Sequence, residues 1–329
     1  MQYSKNEELN PEQKEQREEF KGRDRSHIHD RVKTDIKPTK EDRILDCLII
    51  VILAIVAVVA FYPLYLVFLC SFSDPKYISS GAVWIIPRGL NFDAYKILLD
   101  TEEIWIGYRN SLFYTIVGTA LQMIVTTAAG FAVSRKSLPG RRFLMLFFLF
   151  PMYFSGGMIP TYLVIKDAGM INTVWALIVP VMVGYYNLIL ARNYFENSIP
   201  EELYESASVD GASIIRYFFQ FAIPLSVPVL AVMTLNFALG HWNKYFDAMI
   251  YISDDNIQTL QVFIKRITMQ ATSSLDGGAV NASQIVEQIR QTQLLKYAVV
   301  IVSSVPMIML YPFIQKYFVK GIMMGAVKG

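Results

Sequence analysis

Charge is scarce in this chain. Of its 329 residues only 18% are Asp, Glu, Lys or Arg, and the formal net charge is +2. That balance offers no basic footprint for a nucleic acid. Cysteine is scarcer still. Cys47 and Cys70 fall in one apolar run. On a helix they would stand about 35 Å apart at about 1.5 Å per residue, so they cannot pair with each other. His27 and His29 form an isolated "HIH" with no other ligand type nearby, which argues against a metal site. No glycine is followed by lysine, so a Walker A phosphate loop is excluded. There is no His-Glu-x-x-His and no nucleophile elbow. The residues therefore predict a chain with neither an energy source nor a catalytic site of its own.

Apolar residues, by contrast, make up 53% of the chain, and they are clustered rather than periodic. A membrane span needs about 20 mostly apolar residues. Six stretches qualify: Ile44–Phe72, Ser111–Val133, Phe143–Ile165, Val174–Ala191, Phe218–Leu239 and Leu294–Gln315. The expected fold class is thus all-α, integral to a membrane, with six transmembrane helices. The first 43 residues are charged and alternate in sign ("PEQKEQREEFKGRDR"). They read as a solvated or interfacial tail on a six-span domain, 44–329, and not as a cleavable signal.

Lys and Arg flanking the spans set topology. The short loop "SRKSLPGRR" carries Arg135, Lys136, Arg141 and Arg142, which predicts a cytoplasmic position. Counting alternately puts both termini inside, with Lys316, Lys320 and Lys328 on the C-terminal tail. The segment 192–217 also falls inside. Ser73–Asn110, Lys166–Thr173 and the loop 240–293 fall outside, so the sequon Asn281–Ser283 is extracytoplasmic. In that last loop "SSLDGG" reads as a turn and "QIVEQIRQTQ" as a helix.

Prolines fall in or beside several runs: Pro151, Pro160, Pro180, Pro224, Pro228 and Pro306. Each removes a backbone donor and either kinks a helix or ends it. "FPMYFSGGMIP" packs two prolines and two glycines into the third run, which predicts an irregular span. Within the runs the polar positions are neutral, such as Gln122 and Asn236. An absence of buried ionisable groups counts against an ion-coupled carrier.

The inside segment holds "ELYESASVDGASIIRYFFQFAIP", from Glu202 to Pro224. Ser198 followed by Glu201 has capping-box spacing, and Pro200 suits a first turn. The spacing predicts a helix over 199–209, stopped at Gly211 in the left-handed conformation. A second short helix leads on to Pro224. Ile199, Leu203 and Ala207 share one stripe, and Glu201, Glu202 and Glu205 share another. An acidic stripe is ordinary on a solvated helix. It also suits a basic partner whose backbone Ser206, Ala207, Gly211 and Ala212 are small enough to admit.

The stretch Glu205-Ser206-Ala207-x-x-Asp210-Gly211-Ala212, followed by Ile223-Pro224, resembles the "EAA" loop of binding-protein-dependent ABC importer permeases. Leu239–Ile264 resembles the Trp-Asn region of the carbohydrate-type permeases, and Tyr311–Gly329 resembles their C-terminal ending. The likeness covers Ile44 to Gly329; Ser206 departs from the usual alanine.

The resemblance implies the permease subunit of an importer in the bacterial plasma membrane, for an oligosaccharide. Two ABC ATPase subunits would bind the ATP and Mg, so this chain needs no cofactor. A homologous permease would complete a heterodimer, and an extracytoplasmic solute-binding protein would deliver cargo. Glu205, Ser206, Ala207, Asp210, Gly211 and Ala212 would couple to the ATPase. Sugars are held by aromatic faces and neutral hydrogen-bonding groups. That points to Tyr153, Phe154, Asn236, His241, Trp242, Asn243 and Tyr245 as a pathway, although aromatics also form interfacial belts and cores. Other readings are an ABC permease for a different solute, or a scaffold or sensor that keeps the permease fold.

Overall fold

The computed structural model describes residues 39–273, 294–313 and 315, and every regular element described is helical. Of the charged tail it describes only 39–43. "HIH", the sequon, "SSLDGG", "QIVEQIRQTQ" and the lysines from Lys316 onward lie outside the described residues. The chain divides into two units, Met1–Tyr62 and Pro63–Gly329.

In the first unit the described part opens helix α1, Lys40–Ser71, which runs on into the second unit with Pro63 inside it. A reciprocal cap starts α1. The Thr39 N–H donates to the Asp42 carboxylate at 2.8 Å, and the Asp42 N–H donates back to Thr39 Oγ1 at 3.3 Å. Together they satisfy donors that a helix start leaves orphaned.

The second unit continues with α2 (Glu102–Ser134), α3 (Arg141–Tyr153), α4 (Met158–Asp167), α5 (Tyr185–Asn197), α6 (Glu201–Val209), α7 (Val227–Trp242), α8 (Leu260–Ser273) and α9 (Leu294–Phe313). Three of the six apolar stretches are single helices: α1, α2 and α9. The other three are bent pairs. α3 and α4 meet at 116°, Trp175–Val181 and α5 at 44°, and Ile214–Leu225 and α7 at 82°.

The bends have covalent causes. The third run breaks at Ser155-Gly156-Gly157, where Gly157 takes φ 86°, between Pro151 and Pro160. Pro180 lies in a tight turn ahead of α5. Pro224 and Pro228 flank the break before α7, which follows a wide π-helical turn over Phe218–Ala222. At Pro180, Pro224 and Pro228 a missing N–H frees a carbonyl and the helix yields there, whereas the third run yields at its glycines. Pro306, in contrast, sits inside the unbroken α9.

Helix α2 begins at Glu102, well before the expected Ser111, and packs along α5, α7 and α8. Small residues make the approach possible. A methyl on Gly118 would lie 2.4 Å from the His241 ring, and one on Gly130 2.8 Å from the Ala191 Cβ. Close backbone approach over small residues is how helices associate where lipid removes the hydrophobic drive.

The described loops gather into two sets, beside opposite ends of α2. At one end, Asn172 (φ 58°) takes the Ser253 and Asp254 N–H groups on its side-chain oxygen, at 3.0 and 2.9 Å. Asn110 donates to the Asn256 and Gln258 carbonyls there, at 2.9 Å each. At the other end Lys136 meets Glu201, and Arg141 meets Glu196.

One expectation fails. The fifth run does not stop at Leu239; α7 continues to Trp242 and buries His241. The bundle therefore does hold an ionisable side chain, made tolerable by a neutral amide. His241 Nε2 lies 3.1 Å from Gln122 Oε1.

Candidate functional site

Two sites flank α2, and the acidic helix α6 makes the first. It starts at Glu201, two residues later than expected, with Pro200 preceding it. The capping box does not form. Ser198 instead ends α5, its N–H donating to the Tyr194 carbonyl at 2.9 Å. Glu201 is drawn away by a stronger partner. The Lys136 ammonium donates to its carboxylate at 2.7 Å. That bond holds the Glu201 carboxyl below its ordinary value and Lys136 above its own. The acidic stripe thus finds part of its basic partner within the chain.

The opposite stripe packs as expected. Ile199 and Ala207 are buried, with Leu203 half-buried, against Phe131, Phe195 and Tyr217. Ala207 therefore faces the protein's own core, which corrects the expectation that it is open to a partner. Ala212 is half-buried in the same cluster. Glu205, Ser206, Asp210 and Gly211 are exposed. The Asp210 N–H closes the helix on the Ser206 carbonyl at 3.1 Å. Gly211 follows at φ 79°, the left-handed turn expected of it. Val209, 88% exposed, juts out beside them.

Arg135, just past α2, fastens α6 to the bundle. Its guanidinium lies over the rings of Phe131, Tyr204 and Tyr217, at 4.8, 5.3 and 5.7 Å from their centroids. Such contacts contribute about 0.5–1 kcal/mol each when exposed and more when desolvated. Beside it Glu196 of α5 accepts from Arg141 of α3 at 2.8 Å and from Arg192 of its own helix at 2.6 Å, which ties α3 to α5. A cleft of about 170 Å³ opens between these groups, with Glu205 on its lining beside Arg135, Lys136 and Glu201. The basic loop "SRKSLPGRR" and α6 thus form one ion-paired platform, a link that spacing alone did not reveal.

The second site is a cavity of about 470 Å³ between α2, the turn before α5, and α7 with its following residues. Such a volume lies within the usual range for small-molecule sites, about 300–1,000 Å³. Gln122, Asn187, Asn236 and Asn243 give it neutral hydrogen-bonding groups. The Asn236 amide donates to Asn187 Oδ1 at 3.1 Å. Tyr185, Tyr186 and Tyr245 add aromatic faces.

Asn236, His241, Asn243 and Tyr245 are thus brought together as expected. Trp242 is not. It is 2% exposed and turned the other way, its indole N–H donating to the Ser303 carbonyl in α9 at 3.1 Å. Successive helical residues diverge by about 100°, so His241 and Trp242 cannot share a face. Tyr153 and Phe154 lie at the break of the third run, 72% and 65% exposed, and do not line the cavity. Gln122, Asn187 and Lys244 complete the lining. Gln122 was visible as a polar residue in an apolar run. Asn187 carried the same signal inside the fourth apolar run and was missed, whereas Lys244 carried none, because Asn243 beside it and Asp247 beyond are polar too.

The two sites share α2. Gln122 lines the cavity and Ser134 ends the helix beside Arg135, ~18 Å away along its axis at ~1.5 Å per residue.

Comparison with known proteins agrees with this geometry. No protein-family profile matches the chain. It is 36% identical to the protein LplC of Bacillus subtilis over 88% of this chain and 97% of that one. It is also 36% identical to YtcP of Bacillus subtilis, a polygalacturonan/rhamnogalacturonan transport system permease protein, over 88% of this chain and all of that one. Among solved structures it matches a bacterial ABC transporter involved in the import of the acidic polysaccharide alginate. The TM-score there is 0.74 at 31% identity, over 85% of this chain and 98% of that one. The chain belongs to the carbohydrate ABC transporter permeases.

Proposed function

We propose that this chain is the membrane-spanning permease subunit of an ATP-driven, binding-protein-dependent oligosaccharide importer in the bacterial plasma membrane. Each bent pair counts as one span, which makes six, with both termini cytoplasmic. The observation that carries the reading is α6. It is an exposed acidic helix anchored by its inner stripe and braced by Arg135 and Lys136 at the end of the helix that lines the cavity.

An ABC ATPase pair, binding ATP and Mg that this chain does not bind, pushes α6 when it closes. Glu205, Ser206, Asp210 and Gly211 meet the ATPase surface, while Ala207 and Ala212 seat the helix. Because α6 is fastened to α2, the push reaches Gln122 and the cavity. A solute-binding protein delivers the saccharide to the end gathered around Asn110, Asn172 and Asn256. A homologous permease completes the pathway as a heterodimer. Neutral amides and tyrosine faces suit hydroxyl-rich cargo.

Capture of the tagged chain from its own membrane in mild detergent, followed by mass spectrometry, tests the assembly. An ATPase, a second permease and a binding protein should come with it, and a cysteine at Glu205 should crosslink to the ATPase. Recovery of the chain alone even after crosslinking would remove the coupling role and bring the scaffold reading forward.

A further inference from the structure

Among the residues lining the cavity, Lys244 and Asp247 are the formally charged pair. Lys244 is half-buried, and its ammonium has the Leu177 carbonyl as a protein acceptor. Among the described residues no carboxylate lies within 4.0 Å of it, Asp247 included, although Asp247 is close enough to influence it electrostatically. The same chain pairs the cations at its other end closely: Lys136 with Glu201 and Arg141 with Glu196. A desolvated cation without a counter-ion is costly. Within a membrane protein such groups mark the path of a charged cargo or a relay. The remaining polar lining is amide, phenol and the His241 imidazole, all of which can bind hydroxyls, and among the lining residues Lys244 is the one Lys or Arg, with Asp247 the one carboxylate and not in contact with it.

We infer that the saccharide passing through this cavity carries a carboxylate, as uronate oligosaccharides do, and that Lys244 selects it. The inference rests on the importer reading above and deepens it. The carboxylate completes an ion pair that the described side chains do not supply, and Asn187, Asn236 and Asn243 take the hydroxyls. Asp247 keeps the unloaded cavity near neutrality and disfavours a second anion. An ammonium is a compact point charge with three donors, so it can follow a carboxylate through more than one pose. Two of the proteins to which the chain is similar are named for acidic polymers, polygalacturonan and alginate, which accords with the same chemistry.

The test uses the complex captured with this chain, in proteoliposomes and with its binding protein. ATP-dependent uptake is compared for trimers of galacturonate, mannuronate and glucuronate and for neutral trimers of galactose, mannose and glucose. At least one uronate trimer should be taken up at least tenfold faster than every neutral trimer. Lys244→Gln should erase that preference by slowing the uronate alone, and Lys244→Arg should keep most of it. Recovery of the variant complexes on size exclusion separates selection from misfolding. If a neutral trimer moves as fast as the uronates, or if assembled Lys244→Gln keeps the preference, the inference is overturned and the importer reading stands. If the wild-type complex hydrolyses ATP but moves none of the six, both are overturned.

Discussion

The two longest helices, α1 and α2, are nearly equal in length, at 32 and 33 residues, and opposite in use. α1 is the more apolar, and its residues Lys40–Leu64 are all exposed. α2 is less apolar, yet 44% of its most apolar window is buried. What α2 buries includes Gly118, Thr119, Gln122, Thr126, Thr127 and Gly130. In water the apolar face turns inward; where lipid is the solvent, apolar side chains gain nothing by hiding. Small residues that permit close approach, and polar residues that need partners, mark the protein-facing helix instead. By that rule α1 has the composition of a lipid-facing helix, and α2 carries the marks of a protein-facing one.

Substitution breaks the comparison most sharply at Gly118. Gly118→Val forces a side chain into the His241 ring and should cost about 3 kcal/mol, the upper end of ordinary overpacking. Ala57→Val on α1, which adds comparable bulk at an exposed position, should cost almost nothing. Thermal stability of the purified complex reads both, and equal losses would end the distinction.

Gly211→Val and Glu205→Lys come next. Both positions are exposed, and each variant should insert normally while transport falls at least tenfold and ATP hydrolysis no longer responds to cargo. Normal transport by both would remove α6 from coupling. Arg135→Leu, which releases three aromatic contacts, should uncouple in the same direction but less completely.

Gln122→Leu makes α2 resemble α1. Removing the partner of His241 should cost about 0.6–1.7 kcal/mol, the range for hydrogen bonds between membrane helices. An unchanged melting temperature would show the amide to be dispensable.

The smallest effect concerns pH. The Glu201 carboxyl is held low by Lys136, so the bridge stabilises the fold above the ordinary carboxylate value. That contribution is lost as pH falls through the depressed value. Lys136 is held high, so its share is present below the ordinary lysine value and disappears as pH rises through the raised one. The two should leave a flat plateau at neutral pH, and Lys136→Ala should remove the weak slope on both its acid and its alkaline side. Both groups are exposed, so salt should shrink that slope further.

Much of this architecture was legible in the residues. Six apolar runs reappear as three single helices and three bent pairs, because a run of that length has no other way to satisfy its backbone in lipid. The irregular third run followed from "FPMYFSGGMIP", and the left-handed stop of α6 from Gly211. Both depend on what one residue's backbone can do. The Ile199–Leu203–Ala207 stripe was legible because helical spacing puts those positions on one face.

Other features depended on neighbours far away in the chain. Ser198 and Glu201 have capping-box spacing, yet Lys136 outbids Ser198 for the carboxylate, since an ion pair with a free ammonium is stronger than a local cap. Trp242 and His241 are adjacent in sequence but face different helices, and only the packing of α9 and α2 assigned each its side. Lys244 sits in a plainly polar stretch, and its burial came from the walls folded around it. The amino-acid sequence by itself determined which segments are helical, where they bend and which faces are apolar, because these depend on local geometry and solvent. Tertiary structure alone decided which polar groups meet, because hydrogen bonds and ion pairs form between whichever partners the packing brings within reach.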